Sequence, residues 1–456
     1  MDPRQPVFDR RRAGVLLHPT SLIAGHGALG SAGRAFVDWL AAAGFSVWQM
    51  LPLGPVGPDG SPYWARSDGA GNPALIDSGE APDPNGQRAA FDEFCHGQSH
   101  WLEDDALFEV LSTAHGGKPW WEWPAGVRNR KPEALQQARE RHAAALHAHR
   151  VQQWRFAWQW QALRRYARDR GVRLFGDLPI YVAPDSAVVW AERQQFQLAP
   201  GGRSEFVAGV PPDYFSADGQ LWGNPLYDWQ QAEKDGFRFW RARLAQQLQR
   251  FDVVRIDHFR GLEAYWAVPA GASTARGGEW RKAPGVALFT ALRRELGDLP
   301  IVAEDLGVIT PEVEALRKQF AMPGMRVLQF GFDGNPGNTH LPHNFSSDAV
   351  AYSGTHDNDT TLGWYRALDP GTAGRVDAYL RAQPQDFPQA LVHATLASVA
   401  QLAILPLQDL LALGSEARFN IPGTVSGNWR WKLPAGALSP ELAGHYAGLN
   451  QLLGRR

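Results

Sequence analysis

Cysteine is almost absent. Cys95 is the only one in 456 residues, which excludes an intrachain disulfide and any cysteine-built metal cluster. Neither sign of charge is in excess: 45 Lys and Arg against 47 Asp and Glu leave a formal charge of −2. No basic segment interrupts that balance, so neither nucleic acid nor an anionic membrane is an expected partner. Long apolar runs are missing as well. The most apolar stretch, 391–407, carries His393, Thr395, Ser398, Gln401 and Pro406 and reads as a helix running into a strand, not as a membrane span. The opening MDPRQPVFDRRR has no apolar signal-peptide core. A soluble, cytoplasmic chain is expected, either monomeric or a weak homo-oligomer. GxGxxG after a strand and GxxxxGK[ST] are both absent, which removes support for phosphate-cradling folds.

Tryptophan is abundant, with 19 copies. Burial in a core explains most tryptophans. Many indoles beside many acids also suit sugars, whose C–H faces stack on flat rings and whose hydroxyls donate to carboxylates.

The elements alternate. A strand over 14–19 (GVLLHP) precedes an amphipathic helix over 33–43 closed by Gly44. A second strand, 46–53 (SVWQMLPL), enters the Gly/Pro-rich loop GPVGPDGSPYWARSDGAGNP, too long for an idle connection. Residues 76–150 read as a helical insertion that merges into a long helix. Trp154, Trp158, Leu163 and Tyr166 are expected on one apolar face of it. A third strand over 172–182 carries Asp177, and a second insertion, 185–245, holds the aromatic loop GVPPDYFSADGQLWGNPLYDW at 209–229. Strands four to eight are expected at 253–257, 301–304, 325–330, 349–353 and 402–406. Eight strands separated by helices predict an α/β fold, a (β/α)8 TIM barrel with helical and loop insertions and no C-terminal β-sandwich. The barrel starts in 12–75, is interrupted by 76–150 and resumes over 151–456.

Three segments hand over acids in the same way. VVRIDHFRG carries Arg255 and Asp257, IVAEDLG carries Glu304, and AVAYSGTHDND carries His356 and Asp357. Carboxylates at the C-terminal ends of barrel strands read as catalytic, and three at matching ends outweigh isolated ion pairs. Two carboxyls roughly 5–5.5 Å apart can cleave a glycosidic bond with retention. Arg255, on the same strand face, keeps Asp257 ionised. The negative Asp257 in turn makes Glu304 hold its proton. A divalent metal among Asp177, Asp257, Glu304 and Asp357 is disfavoured by the fixed Arg255 cation; no metal and no cofactor is expected.

RIDHFRG, AEDLG and GTHDN resemble the signature segments of the 4-α-glucanotransferases (amylomaltases, disproportionating enzymes) of glycoside hydrolase family 77. The resemblance runs from about Arg12 to the end and includes HPTSL, WQMLPLGP, SPY, GDLPIYV, QDLLALGSEARFNIPGT and NWRWKL. It implies a retaining transfer between α-1,4-glucans and maltooligosaccharides, with Asp257 as nucleophile, Glu304 as acid/base and Asp357 stabilising the distorted sugar. It further implies that Tyr63 stacks on the transferred glucose and that Asp177, Arg255, His258 and His356 line the same subsite. Tyr214, Phe215, Gln220 and Trp222 belong to the loop that, in the family, arches over the cleft. Relatives usually continue after Tyr63 with a Ser-Ala-Phe type segment, whereas this chain has WARSDGAGNP, which changes the side chains near the donor subsite. Some relatives also carry an extra N-terminal module, which is not expected here. The rival readings are an α-glucan hydrolase on the same barrel and a non-catalytic polysaccharide-binding barrel.

Overall fold

A computed structural model describes residues 7–23, 26–57, 59–64, 66–212, 216–424 and 426–456. Within them lie the strands β1 (Arg12–Leu16), β2 (Val47–Gln49), β3 (Arg173–Leu178), β4 (Phe206–Val210), β5 (Gln220–Pro225), β6 (Val253–Ile256), β7 (Ala264–Pro269), β8 (Glu279–Lys282), β9 (Ile301–Ala303), β10 (Gly324–Val327), β11 (Ala349–Tyr352) and β12 (Leu402–Pro406). Eight of them form one sheet in the order β10-β11-β12-β1-β2-β3-β6-β9, every pair parallel. Its two edges meet where the Ala303 N–H donates to Pro323 O at 2.9 Å, so the ring nearly closes. All eight expected barrel strands are present, most of them shorter than the apolar runs suggested.

Register decides what faces inward. Phe175 pairs with Val253 and Asp177 with Arg255, while Arg255 pairs with Val302. Partners in a parallel ladder share a face, and side chains alternate with period two. One set therefore fills the barrel with Leu16, Val47, Phe175, Val253, Val302, Met325, Val350, Tyr352, Leu402 and Ile404. The other set, including Val15, Trp48, Leu174, Val254, Ile256 and Leu405, packs outward against the helices. Fully burying each aliphatic side chain of this kind stabilises by about 1.5–3 kcal/mol. The inward row turns polar two residues further on, at Gln49, Asp177, Arg255 and Glu304. There the Tyr352 hydroxyl donates to Gln49 Oε1 at 3.0 Å across the interior.

Helices Arg88–Gly97, Ser99–Ala114 and Pro132–Arg141 precede the long helix Ala143–Asp169, which is continuous across position 150. Trp154 and Leu163 of that helix are buried, but the expected single stripe is corrected. Trp158 is 37% exposed and the Tyr166 hydroxyl donates to Asp38. The helix's buried residues join two separate apolar clusters, so they do not follow one face. Its glutamines pin the loop after β2. Gln153 makes paired hydrogen bonds with the backbone of Gly71 at 2.8 and 3.1 Å, and Gln159 does the same with Asp77 at 2.8 and 2.7 Å.

The stretch 209–229 is not a plain loop. Its flanks are β4 and β5, which pair antiparallel and join β7 and β8 in a sheet ordered β5-β4-β7-β8. The glycines and prolines that read as loop sit at the sheet's bulge and turn, while ladder hydrogen bonds carry the backbone between them. No helix among the described residues is long and apolar enough to cross a membrane.

Candidate active site

The barrel places four ionisable groups side by side. Asp177 lies in β3 and Arg255 in β6, while Asp257 and Glu304 each follow their strand by one residue. The ladder pairs Ile256 with Ala303, so the next positions, 257 and 304, leave neighbouring strands at the same level. The Glu304 N–H donating to Ile256 O at 3.1 Å extends that register. Neighbouring strands are about 4.8 Å apart, and that spacing brings the two carboxyl-bearing side chains together.

Arg255 ties the row into one unit. One guanidinium nitrogen, Nη1, reaches Asp177 Oδ2 at 2.6 Å and the other, Nη2, reaches Asp257 Oδ1 at 2.7 Å. Burial works against the cation, but Asp177 and Asp257 outweigh it and hold the guanidinium charged. The Tyr63 hydroxyl donates to the same Asp177 Oδ2 at 2.6 Å. Burial first, and then Asp177, raise the phenol's pKa well above its usual value, so it stays a donor. The other oxygen of Asp177, Oδ1, is buried and finds no partner among the described residues. The Asp177 side chain has no exposed surface, so its part is to hold Arg255 and Tyr63 in place.

Glu304 is held differently. Its Oε2 accepts from the His258 N–H at 2.7 Å and its Oε1 from the Leu306 N–H at 3.0 Å. Burial, reinforced by Asp257 and opposed by Arg255, pushes its pKa up to about 8. His258 adopts a left-handed backbone with φ 48 and ψ 48, sparse territory for a residue with a β-carbon. That turn aims its N–H at Glu304. Burial pushes its ring pKa down to about 4, so the imidazole is neutral, and Trp222 meets it edge-on with centroids 4.7 Å apart.

Asp357 departs from the expectation of three acids at matching strand ends. It stands five residues past β11, in a turn where Thr355 N–H and Asn358 Oδ1 bond at 2.9 Å. It is held from the side: Asn420 Nδ2 donates to Asp357 Oδ1 at 2.6 Å and Arg418 Nη2 to its backbone O at 2.7 Å. His356 Nε2 lies 3.4 Å from Asp357 Oδ2. The His356 ring stacks on Tyr63 with centroids 5.2 Å apart and planes 16° apart, and this joins the turn to the Asp177 cluster.

Contacts therefore link Tyr63, Asp177, Arg255, Asp257, His258, Glu304, His356, Asp357 and Trp222. Gln220 is exposed and, among the described residues, joins through Trp222, whose Nε1–H donates to its Oε1 at 3.1 Å. Tyr214 and Phe215 lie outside the described residues. Sequence reasoning missed Asn420, Arg418 and Trp429, the last with its ring 6.1 Å from Tyr63 and 6.2 Å from His356. Their signal was the polar-aromatic wording of ARFN and NWRW in a stretch without strand period.

A family model described as 4-alpha-glucanotransferase, glycoside hydrolase 77, matches residues 17–82 and 79–438. The chain belongs to this family. It is similar to the 4-alpha-glucanotransferase of Thermus thermophilus, 47% identical over 94% of this chain and 96% of that one. The Synechocystis 4-alpha-glucanotransferase is 46% identical over 99% of both chains. Among solved structures, the amylomaltase of Streptococcus agalactiae in complex with acarbose superposes with a TM-score of 0.92 at 34% identity, covering 98% of this chain and all (100%) of that one. The superposition over 98% of the chain takes in the barrel and the antiparallel sheet alike.

Proposed function

We propose that this family member transfers α-1,4-glucan segments by a retaining route in which Asp257 is the nucleophile and Glu304 the acid/base. An Asp257 oxygen attacks the anomeric carbon as the bond to the leaving glucan breaks, and Glu304 gives its proton to the departing 4-oxygen. The first segment is then an ester on Asp257. The 4-hydroxyl of an acceptor glucan or glucose enters, loses its proton to the Glu304 carboxylate and displaces Asp257. Two displacements restore the α configuration. Asp357, half-exposed and braced by Asn420, accepts hydroxyls from the distorted ring, while Asp177 keeps Arg255 and Tyr63 in position beneath it. The substrates are α-1,4-glucans and maltooligosaccharides.

One observation carries the reading. Asp257 and Glu304 leave adjacent strands at one level, yet Asp257 faces a guanidinium while Glu304, half-buried and held by two backbone N–H groups, has a raised pKa. This is the split of environments that separates a nucleophile from a proton donor. Incubation with maltotriose tests it. Transfer yields glucose and a ladder of longer oligomers, hydrolysis yields only shorter products, and a binding barrel leaves maltotriose unchanged. Asp257→Asn is expected to abolish the ladder; a ladder that persists in that variant contradicts the reading.

A further inference from the structure

The segment after Tyr63 carries a second aromatic ring that no step above uses. Trp64 is half-buried, and its indole spans from the loop after β2 to the hairpin. At one end it packs on Gly57, where a β-carbon would come within 2.7 Å of Trp64 Cδ1. At the other end its Cη2 lies 4.0 Å from where a β-carbon on Gly223 would stand. Gly223 follows Trp222 directly and has φ +79, a conformation that suits glycine. A flat ring is thus seated between two residues without side chains, next to the residue whose hydroxyl holds Asp177.

Strand order gives the side of the cleft. Around the barrel the sequence is β2, β3, β6, β9. Glu304, which protonates the leaving oxygen, follows β9, on one side of Asp257. The Trp64 bridge rises from the loop after β2 and from the hairpin after β3, on the other. A glucan whose reactive bond faces Glu304 runs its non-reducing units toward the indole.

Resting on the glucan reading of the cleft, we propose that Trp64 is a specificity-determining residue that stacks on the donor unit next to the one held over the cluster of Tyr63, Asp177 and Arg255. Its ligand is a pyranose C–H face. A donor of one glucose unit does not reach the indole; a donor of three does. The indole therefore favours longer donor segments and leaves the bond-breaking groups untouched.

Fluoride release from α-glucosyl fluoride and α-maltotriosyl fluoride, with glucose as acceptor, tests this. The kcat/KM ratio of the longer to the shorter donor is expected to fall roughly three- to tenfold in Trp64→Ala. Trp64→Phe, which keeps a flat ring, is expected to recover most of it. Gly57→Ala, whose methyl displaces the indole without removing it, is expected to lower the ratio in the same direction. An unchanged ratio in Trp64→Ala, an equal loss on both donors, or a Phe variant no better than Ala overturns the proposal. Each of those results leaves the wild type active and the transfer reading intact. A wild type that turns over neither fluoride defeats the transfer reading and takes the Trp64 proposal with it.

Discussion

Arg255 does with one side chain what no other cation could do in that place. Its planar fork reaches Asp177 and Asp257 at once, at 2.6 and 2.7 Å, whereas a lysine offers a single point charge on a flexible stem. Arg255→Lys is expected to release one of the two acids and lower transfer by about 10²-fold, with kcat falling more than KM rises in steady-state assays on maltotriose. As the proposed proton donor, Glu304 is expected to fix the alkaline limit. Its pKa of about 8 means that the proton needed by the leaving group is present below that value and lost above it. The kcat profile is therefore expected to fall through about pH 8 as pH rises, and Glu304→Gln to remove that limb along with most activity on natural donors. At this scale the sequence was most legible where chemistry and strand period coincide, at Asp177, Arg255, Asp257 and Glu304. At Asn420 the wording of ARFN gave a signal but no partner, because Asp357 lies in a separate segment and only the folded barrel brings the two together.

The hairpin of β4 and β5 is the element that meets the site from outside the barrel, through Trp222. Trp222 projects from β5 against the neutral His258 ring, and an ester on Asp257 survives only if water is kept away while an acceptor is placed in line. Trp222→Ala is expected to reduce transfer more than donor cleavage, so that free glucose forms a larger share of the products from maltotriose. Parallel loss of both would assign the indole to holding the hairpin. The 209–229 stretch was read as a loop because glycine and proline punctuate it. Its flanks form a ladder because Phe206–Val210 and Gln220–Pro225 find edge partners, including Ala264–Pro269 across β4. Pairing between segments so far apart leaves no trace in local periodicity. The single stripe expected on Ala143–Asp169 failed for a related reason, since its buried residues join two separate apolar clusters, Phe156, Trp160 and Leu163 in one and Val151 and Trp154 in the other.

Across the whole molecule, the eight-stranded order followed from alternation of apolar strand and helix, because the barrel strands are buried on both faces almost throughout and read as short apolar runs. What joins the chain's distant parts was hidden. Arg455 is fully buried and donates to Arg12 O at 2.8 Å, Ser398 O at 2.9 Å and Ala400 O at 3.0 Å. Nothing in the GRR that closes the sequence marks that arginine as core. Arg455→Ala leaves buried carbonyls without a donor and is expected to cost about 3 kcal/mol, seen as a lower Tm in calorimetry with kcat at moderate temperature unchanged.

The covalent route through Asp257 is tested most directly by the mass of the protein during turnover. Glu304→Gln, given α-maltotriosyl fluoride, needs no proton for the leaving group but lacks the base for the second step. The sugar should accumulate, and intact mass spectrometry is expected to show one added maltotriosyl group, mapped by peptide digestion to Asp257. An adduct on another residue, or rapid fluoride release with no adduct and a product of inverted configuration, would contradict it.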